Sequence, residues 1–366
     1  MSPAPEDGRV CATIRVRLRC SIHADMFSRT ARCRTINLAL QGGGAHGAFT
    51  WGVLDYLLED GRLQFEAISG TSAGAMNAVI LAHGLLDGGR DGARAALEKF
   101  WTAIAASMPF GATVSGVDGQ GVALTPAFRR MLQWANGVAP ERLNPFDRNP
   151  LRDILTAQID FERLRAQSRL KLFVAATNAN SGKLRLFRLP ELRVEAILAS
   201  ACLPMMHRAV EIDGEPYWDG GYAANPAVFP LFYECRSNDI LLVLLSPLKY
   251  KQTPYTAQDI KERILEFGFT ATFLREMRMF AHLREYVDKS WFLIGRFERR
   301  IAKTRFHVID AQEFMSDLTA ESKLAVNLQF FGTLKELGRQ RTRAWLQEHF
   351  ERVGRSSSVA ISELFY

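Results

Sequence analysis

Two glycine-bearing turns, one strand-and-helix unit apart, constrain this chain more than any other feature. Residues 37–51 read N-L-A-L-Q-G-G-G-A-H-G-A-F-T-W, and residues 65–75 read F-E-A-I-S-G-T-S-A-G-A. In each, a short apolar run gives way to small residues and then to a helical pattern. Residues 36–40 predict a buried parallel strand and residues 45–59 a helix that ends at Asp60-Gly61; residues 65–68 predict the next strand. The turn Ser69–Gly74 then leads into a helix over residues 75–86. Strand, helix, strand, helix at this spacing is a right-handed crossover unit. Glycine at the end of a buried strand costs conformational entropy. Gly42, Gly43 and Gly44 therefore predict a close approach that a side chain would forbid.

The second turn, Gly70-Thr71-Ser72-Ala73-Gly74, fits G-x-S-x-G. In that pattern a serine sits exposed on a sharp strand-to-helix turn, with glycines where strand and helix nearly touch. The plainer reading is a tight turn with Ser72 as a helix N-cap. In a parallel sheet both glycine turns emerge at the carboxyl ends of their strands, the edge where open α/β sheets bind ligands. Bare N–H groups there, helped by the helix dipole, point at negative charge. A serine that attacks an ester needs such donors for the oxyanion that develops, worth about 3 to 4 kcal/mol. Gly42, Gly43, Gly44 and Gly47 are the candidate donors. Gly42-x-Gly44-x-x-Gly47 also matches a dinucleotide fingerprint, but that needs an acidic residue ending the second strand. Glu66 comes too early for that role, and Asp60 lies in the preceding turn.

Further along, Asp87–Asp91 predicts a loop and residues 93–106 a helix. Residues 108–149 are rich in glycine and proline, with Phe110, Trp134 and Phe146 among them, and read as an insertion carrying a short helix over 127–134. A helix opens after Pro150. Residues 170–177 predict a strand, with residues 184–187 as its partner across Asn180-Ser181-Gly182. A helix over 192–201, a strand over 210–212, the turn Asp219-Gly220-Gly221 and a strand over 240–245 follow. Beyond Ser246 come long helices, near 256–290 and 320–350, with one strand at 306–309. Strands apolar on both faces alternating with helices predict a three-layer α/β/α fold around a mostly parallel central sheet, with a helical C-terminal extension. The expected division is a basic extension over 1–34, a catalytic domain over 35–246 with the 108–149 insertion, and a mainly helical region over 247–366 packed upon it.

Charge and cysteine content narrow the function classes. Of the net +7 over 366 residues, +4 lies in residues 1–34, where seven arginines face Glu6, Asp7 and Asp25. The remaining body is too nearly balanced for a nucleic-acid reading. Residues 14–20 alternate apolar residues with arginine, as a strand with one basic face would. That alternation only permits a strand; the expectation is a poorly ordered tail, or a true start at Met26. No run approaches the roughly 18 to 20 apolar residues of a membrane span, and Arg15, Arg17 and Arg19 break the pattern of a signal peptide. Five scattered cysteines without metal spacing fit a reducing cytoplasm, with no metal or cofactor.

Ser72 needs a base. His83, His207, His282, His307 and His349 offer none in an obvious loop after a strand. His282 and His349 fall in helical patterns and His307 within a strand. The carboxylate that stands out is Asp219 in Tyr217-Trp218-Asp219-Gly220-Gly221-Tyr222; a second D-G-G, Asp87-Gly88-Gly89, reads as a turn only.

Taken in order, G-G-G-A-H-G, G-T-S-A-G and D-G-G resemble the patatin-like phospholipase family over approximately residues 36–245. The resemblance implies a serine–aspartate dyad without histidine: Ser72 as nucleophile, Asp219 as its base, and the amides around Gly43 and Gly44 as the oxyanion hole. Gly70, Thr71, Ala73 and Gly74 form the elbow, and Gly220 and Gly221 follow the base. Residues 198–204 (L-A-S-A-C-L-P) look like the family's stretch before the aspartate. The implied reaction is hydrolysis of acyl esters of phospholipids or related lipids through an acyl-enzyme. The base is expected to stay ionised at neutral pH. One departure is His46, where the family commonly has arginine; replacement by arginine is expected to preserve activity. An acyltransferase of related architecture and a non-catalytic lipid-binding regulator are the alternatives. The lipid is the expected partner, with transient contact at a membrane surface and a cytoplasmic, peripheral location. The 108–149 insertion is read as a lipid-facing cover, against the alternative that its aromatics fill a small core of their own.

Overall fold

The computed structural model describes residues 33–107, 113–115, 122–135, 137–290 and 295–366. Its strands, in chain order, are β1 (Arg34–Leu40), β2 (Leu63–Thr71), β3 (Thr113–Ser115), β4 (Val122–Leu124), β5 (Lys171–Asn178), β6 (Leu184–Arg188), β7 (Val210–Ile212), β8 (Glu215–Asp219), β9 (Asp239–Val243) and β10 (Arg305–Ile309). β3 and β4 pair with each other. The other eight form one sheet in the order β10-β9-β1-β2-β5-β8-β7, with β6 also paired to β5. β10, β9, β1, β2 and β5 run parallel. β6 and β8 run antiparallel to β5, and β7 to β8.

The period-two alternation of a strand explains why both faces are apolar. Ile36, Leu38 and Leu40 of β1, with Leu241 and Val243 of β9, face a core shared with α1 (Gly47–Asp60), α2 (Ala73–Ala106) and the helix Leu328–His349. Ala39 of β1, with Ile240 and Leu242 of β9, faces a second core. That core holds Phe232, Phe273 and Phe280, from the helices Phe229–Glu234 and Ala257–Lys289. Helices therefore cover the sheet on both sides, giving the expected three layers.

The region after residue 246 contributes to all three layers. Ala257–Lys289 lies on one face, Leu328–His349 on the other, and β10 extends the sheet beside β9. A Cβ at Gly52 would collide with the Lys335 carbonyl, and one at Gly338 with the Phe49 carbonyl. α1 and Leu328–His349 thus meet backbone to backbone, which only glycine permits.

The differences from the sequence reading are local. The loop at Asp87–Asp91 is a break inside α2, where Gly88 and Gly89 leave helical geometry and the helix resumes to Ala106. Helix 320–350 is two pieces, a 3-10 turn Ala320–Leu324 and the helix Leu328–His349, whose N-cap Asn327 accepts from Phe330 N. The insertion carries α3 (Pro126–Ala135) and presents Trp134 and Phe146 outward, 66% and 82% exposed. These two aromatics fill no core. Phe110 and the basic alternating stretch 14–20 lie outside the described residues. Among the described residues no helix is long and apolar enough to cross a membrane.

Candidate active site

β1 and β2 end side by side, Leu40 opposite Gly70, so the two glycine turns leave the same edge of the sheet. Ser72 lies between the last residue of β2 and the first of α2 with φ +52° and ψ −122°. A non-glycine residue held there stores about 1 to 3 kcal/mol of strain, which surrounding contacts must maintain. The flanking glycines explain how the turn is tight enough. A Cβ on Gly70 would sit 2.6 Å from the Gly74 carbonyl, and one on Gly74 would strike the Leu40 carbonyl oxygen. The Ser72 N–H donates to Ser200 Oγ at 2.9 Å, and Ser200 is wholly buried in the helix Val194–Ser200. The Thr71 hydroxyl donates to the Ala224 carbonyl at 2.8 Å.

Asp219 ends β8. Its own N–H donates to the Cys202 carbonyl at 2.8 Å, and its carbonyl accepts from Thr177 Oγ1 at 2.8 Å. Main chain on both sides thus fixes where the carboxylate points. That carboxylate is buried and accepts from Gly221 N at 2.7 Å. Burial pushes its pKa up to about 7, against the opposing hydrogen bonds from Gly221 N–H and the Ser72 side chain. The expectation of a fully ionised carboxylate at neutral pH is corrected here: desolvation brings protonation into the neutral range. Phe269 of the helix Ala257–Lys289 lies where a Gly221 side chain would be, and its ring packs on Tyr222 with centroids 4.6 Å apart.

The four candidate oxyanion donors divide into two pairs. Gly42 N–H donates to Asn225 Oδ1 at 2.7 Å, and Gly47 N–H is taken by the Gly44 and Ala45 carbonyls. Gly43 and Gly44, at the start of the 3-10 turn Gly44–His46, have N–H groups with no acceptor among the described hydrogen bonds. Asn225 also donates from Nδ2 to the Gly42 carbonyl at 3.4 Å, so one side chain brackets the loop from both polar groups of Gly42. The sequence analysis marks neither the Asn225 bracket nor the role of the Ser200 hydroxyl. Neither asparagine nor serine in such a place carries a signal without the partner it reaches.

Among the described residues no histidine reaches this site with a carboxylate behind it. The one histidine–carboxylate pair among them with both members buried is His307 Nε2 to Asp239 Oδ1, 3.1 Å. Asp239 begins β9, so it lies at the opposite end of the strands, about 13 Å below the carboxyl edge and two strands across from β2, which leads into Ser72. His46 is 2% exposed and its pKa is held at about 3 by burial, with Lys323 adding to the effect. An arginine there would be a buried cation beside Lys323, which argues against the expectation that His46→Arg preserves activity; the variant is expected to fall in both kcat and melting temperature. Cys202, pushed up to about 12 by burial, stays a thiol.

The family model described as patatin-like phospholipase matches residues 38–232. No curated protein sequence matches the chain. Among solved structures, VipD from Legionella pneumophila is similar at 15% identity and a TM-score of 0.40, covering 91% of this chain and 73% of that one. The ExoU–SpcU complex of the Pseudomonas aeruginosa type III secretion system is similar at 16% identity and a TM-score of 0.32, covering 86% of this chain and 52% of that one.

Proposed function

The chain belongs to the patatin-like phospholipase family, and on that premise we propose that it is a serine acyl hydrolase cleaving ester-linked acyl chains from phospholipids or related lipids. The observation that carries the reading is the strained Ser72 at the same edge of the sheet as the buried Asp219 carboxylate, with no imidazole–carboxylate pair there among the described residues. In this reading ionised Asp219 takes the Ser72 proton as Oγ attacks the ester carbonyl. Gly43 and Gly44 N–H groups receive the oxyanion, and the intermediate collapses to an acyl-enzyme as the C–O bond to the alcohol breaks and Asp219 returns its proton to the leaving lysolipid, which frees the carboxylate for the second step. Water, deprotonated by Asp219, attacks that ester and releases the fatty acid. No metal or cofactor enters the scheme. Trp134 and Phe146 on the insertion supply apolar contact for a lipid surface; Trp134→Ser is expected to slow turnover of phospholipid vesicles severalfold while sparing a short soluble ester.

The test is to incubate the purified chain with a mixed lipid extract and identify the products. Free fatty acid and lysolipid are expected, and both should disappear with Ser72→Ala. Acyl chains moved to an alcohol acceptor instead of water would make it an acyltransferase. Absence of any acyl product, with lipid bound, would make it a lipid-binding regulator.

A further inference from the structure

The glycine loop is closed from outside by a piece of chain that lies beyond the matched family region. The 3-10 turn Ala320–Leu324 rests against the turn Gly44–His46. Gly44 has φ +57°, and a Cβ there would collide with the Lys323 carbonyl oxygen, so main chain presses on main chain. Beside that contact His46 Nε2 lies 2.7 Å from Ser322 Oγ, with both residues buried. Ser322 spends its only hydroxyl proton on the Thr319 carbonyl, 2.7 Å away. The imidazole must therefore donate, which fixes the neutral Nε2–H tautomer. His46 Nδ1 is left as a buried lone pair without a partner among the described residues. The low pKa of the ring agrees with this, and the edge of Phe330 holds it on another side, centroids 6.2 Å apart.

The main chain of the same residue closes the loop: His46 N–H donates to the Gly43 carbonyl at 3.2 Å. One residue thus joins the turn bearing the two unoccupied N–H groups to a fixed point in the C-terminal region. That point is braced on either side by ion pairs, the partly exposed Arg129 to Glu321 at 2.7 Å and the more enclosed Lys323 to Glu266 at 3.1 Å. Solvent screens the first of these, and the buried His46–Ser322 bond is the side-chain hydrogen bond that reaches the glycine turn itself.

We propose that Ser322 is a positioning residue for the oxyanion hole, acting through His46 to aim the Gly43 and Gly44 N–H groups. The proposal rests on the reading of Ser72 as nucleophile. Oxyanion donors act only where they meet the charge that develops in the transition state, and a small misalignment weakens that interaction without touching substrate binding. The loss therefore falls on kcat and on affinity for a tetrahedral adduct, leaving KM in place.

The full chain is assayed with a short-chain p-nitrophenyl ester, and with a trifluoromethyl ketone of matching length, whose serine adduct carries an oxyanion. Ser322→Ala is expected to lower kcat about tenfold and raise the ketone Ki by about the same factor, with KM changed less than about twofold. His46→Leu, which gives a second route to the same break should Ser322→Ala fold poorly, should match it, and the double variant should be no worse than either. His46→Gln keeps a neutral N–H donor near the Nε2 point and should retain about half the activity or more. The proposal is overturned if Ser322→Ala keeps full kcat, if kcat falls without a rise in Ki, or if His46→Gln is as poor as His46→Leu. Ser72→Ala is run in parallel. Turnover that survives it would remove the hydrolase reading itself, whereas a dead Ser72→Ala beside a fully active Ser322→Ala removes only the positioning role.

Discussion

Asp219 and Asp239 each expose only 2% of their surface, Asp219 being the more deeply desolvated, yet their surroundings move them in opposite directions. Asp239, at the amino end of β9, accepts from both Arg305 Nε and Nη2 at 2.9 and 2.7 Å, from His307 at 3.1 Å and from Gly354 N at 2.8 Å. Burial works to raise its pKa, but the Arg305, His307 and Gly354 hydrogen bonds outweigh it and hold the carboxyl well below the ordinary range. Asp219, at the carboxyl edge, has one backbone N–H and the Ser72 hydroxyl and no cation, so burial wins. Burial alone does not set the charge state of a carboxylate; the supply of donors does. A saturated aspartate is structural. One left short of donors is poised to take a proton.

The largest expected effect tests the reactive half of this contrast. Ser72→Ala and Asp219→Asn should each lower kcat on a soluble ester by about 10³-fold or more, and the double variant should lose little beyond either, since members of one catalytic unit do not add. Circular dichroism should show both variants folded. Either variant retaining more than about a tenth of the activity contradicts the assignment of the dyad.

How far this was legible beforehand depended on the kind of signal. Gly70, Ser72 and Gly74 form a local pattern whose geometry follows from sequence, because a strand and a helix that nearly touch exclude side chains. β10 was legible as residues 306–309 from its apolar run, but nothing in a five-residue strand says which neighbour it pairs with. Asp219-Gly220-Gly221 read as a turn, and Asp219 proves to be the last residue of β8, where Tyr217 and Trp218 favour a strand and pair with β5. Ser200, Asn225 and Ser322 were illegible for one reason: each acts through a contact more than a hundred residues away in sequence. The state of Asp219 was misjudged likewise, since desolvation is a property of the assembled core.

Asp239→Asn attacks the structural half. It removes the negative partner of Arg305, a side chain only 18% exposed, and should destabilise the fold by about 3 kcal/mol or more. Calorimetry or chemical denaturation near pH 7 would measure it. The sign with pH is fixed by the depressed pKa. The stability Asp239 contributes is present above its unfolded value of 3.8 and lost as pH falls below that toward the lower folded value. Molecules still folded should hydrolyse ester at the wild-type rate, because the residue lies at the far end of the sheet. A loss of kcat with unchanged stability would reverse the roles drawn above.

Asp219 should show the opposite sign. Its folded pKa, about 7, is raised above the unfolded 3.8, so the stability it contributes is complete below pH 3.8 and is lost as pH rises through about 7. Asp219→Asn lacks that loss. It should be more stable than the wild type at pH 8 by about 2 kcal/mol or more, with the gap closing toward pH 4. The same ionisation should govern catalysis: kcat/KM should climb about tenfold per pH unit below pH 7 and level off above it. A profile flat from pH 5 to 8, or an Asp219→Asn variant no more stable at pH 8, would show that the carboxylate is better solvated than the structure indicates.

The smallest effect comes from another carboxylate, half-buried, that separates donor supply from position. Glu276, on the helix Ala257–Lys289, accepts from Val228 N at 3.0 Å and Phe229 N at 2.5 Å, capping the start of Phe229–Glu234. It has two neutral donors and no cation, and burial pushes it to about 7, as with Asp219. If donor supply is what matters, Glu276 must destabilise the fold as pH rises from 4.5 through 7, although it takes no part in the dyad. Glu276→Gln keeps an oxygen for both N–H groups and removes the charge, but its new amide N–H₂ lacks an acceptor, which offsets part of the gain. The net expectation is a stabilisation at pH 8 of about 1 kcal/mol, vanishing near pH 5, with the pH profile of kcat/KM unchanged. Were that profile to shift with Glu276→Gln, the ionisation near pH 7 would belong partly to Glu276, and the limb assigned to Asp219 would have to be shared between them.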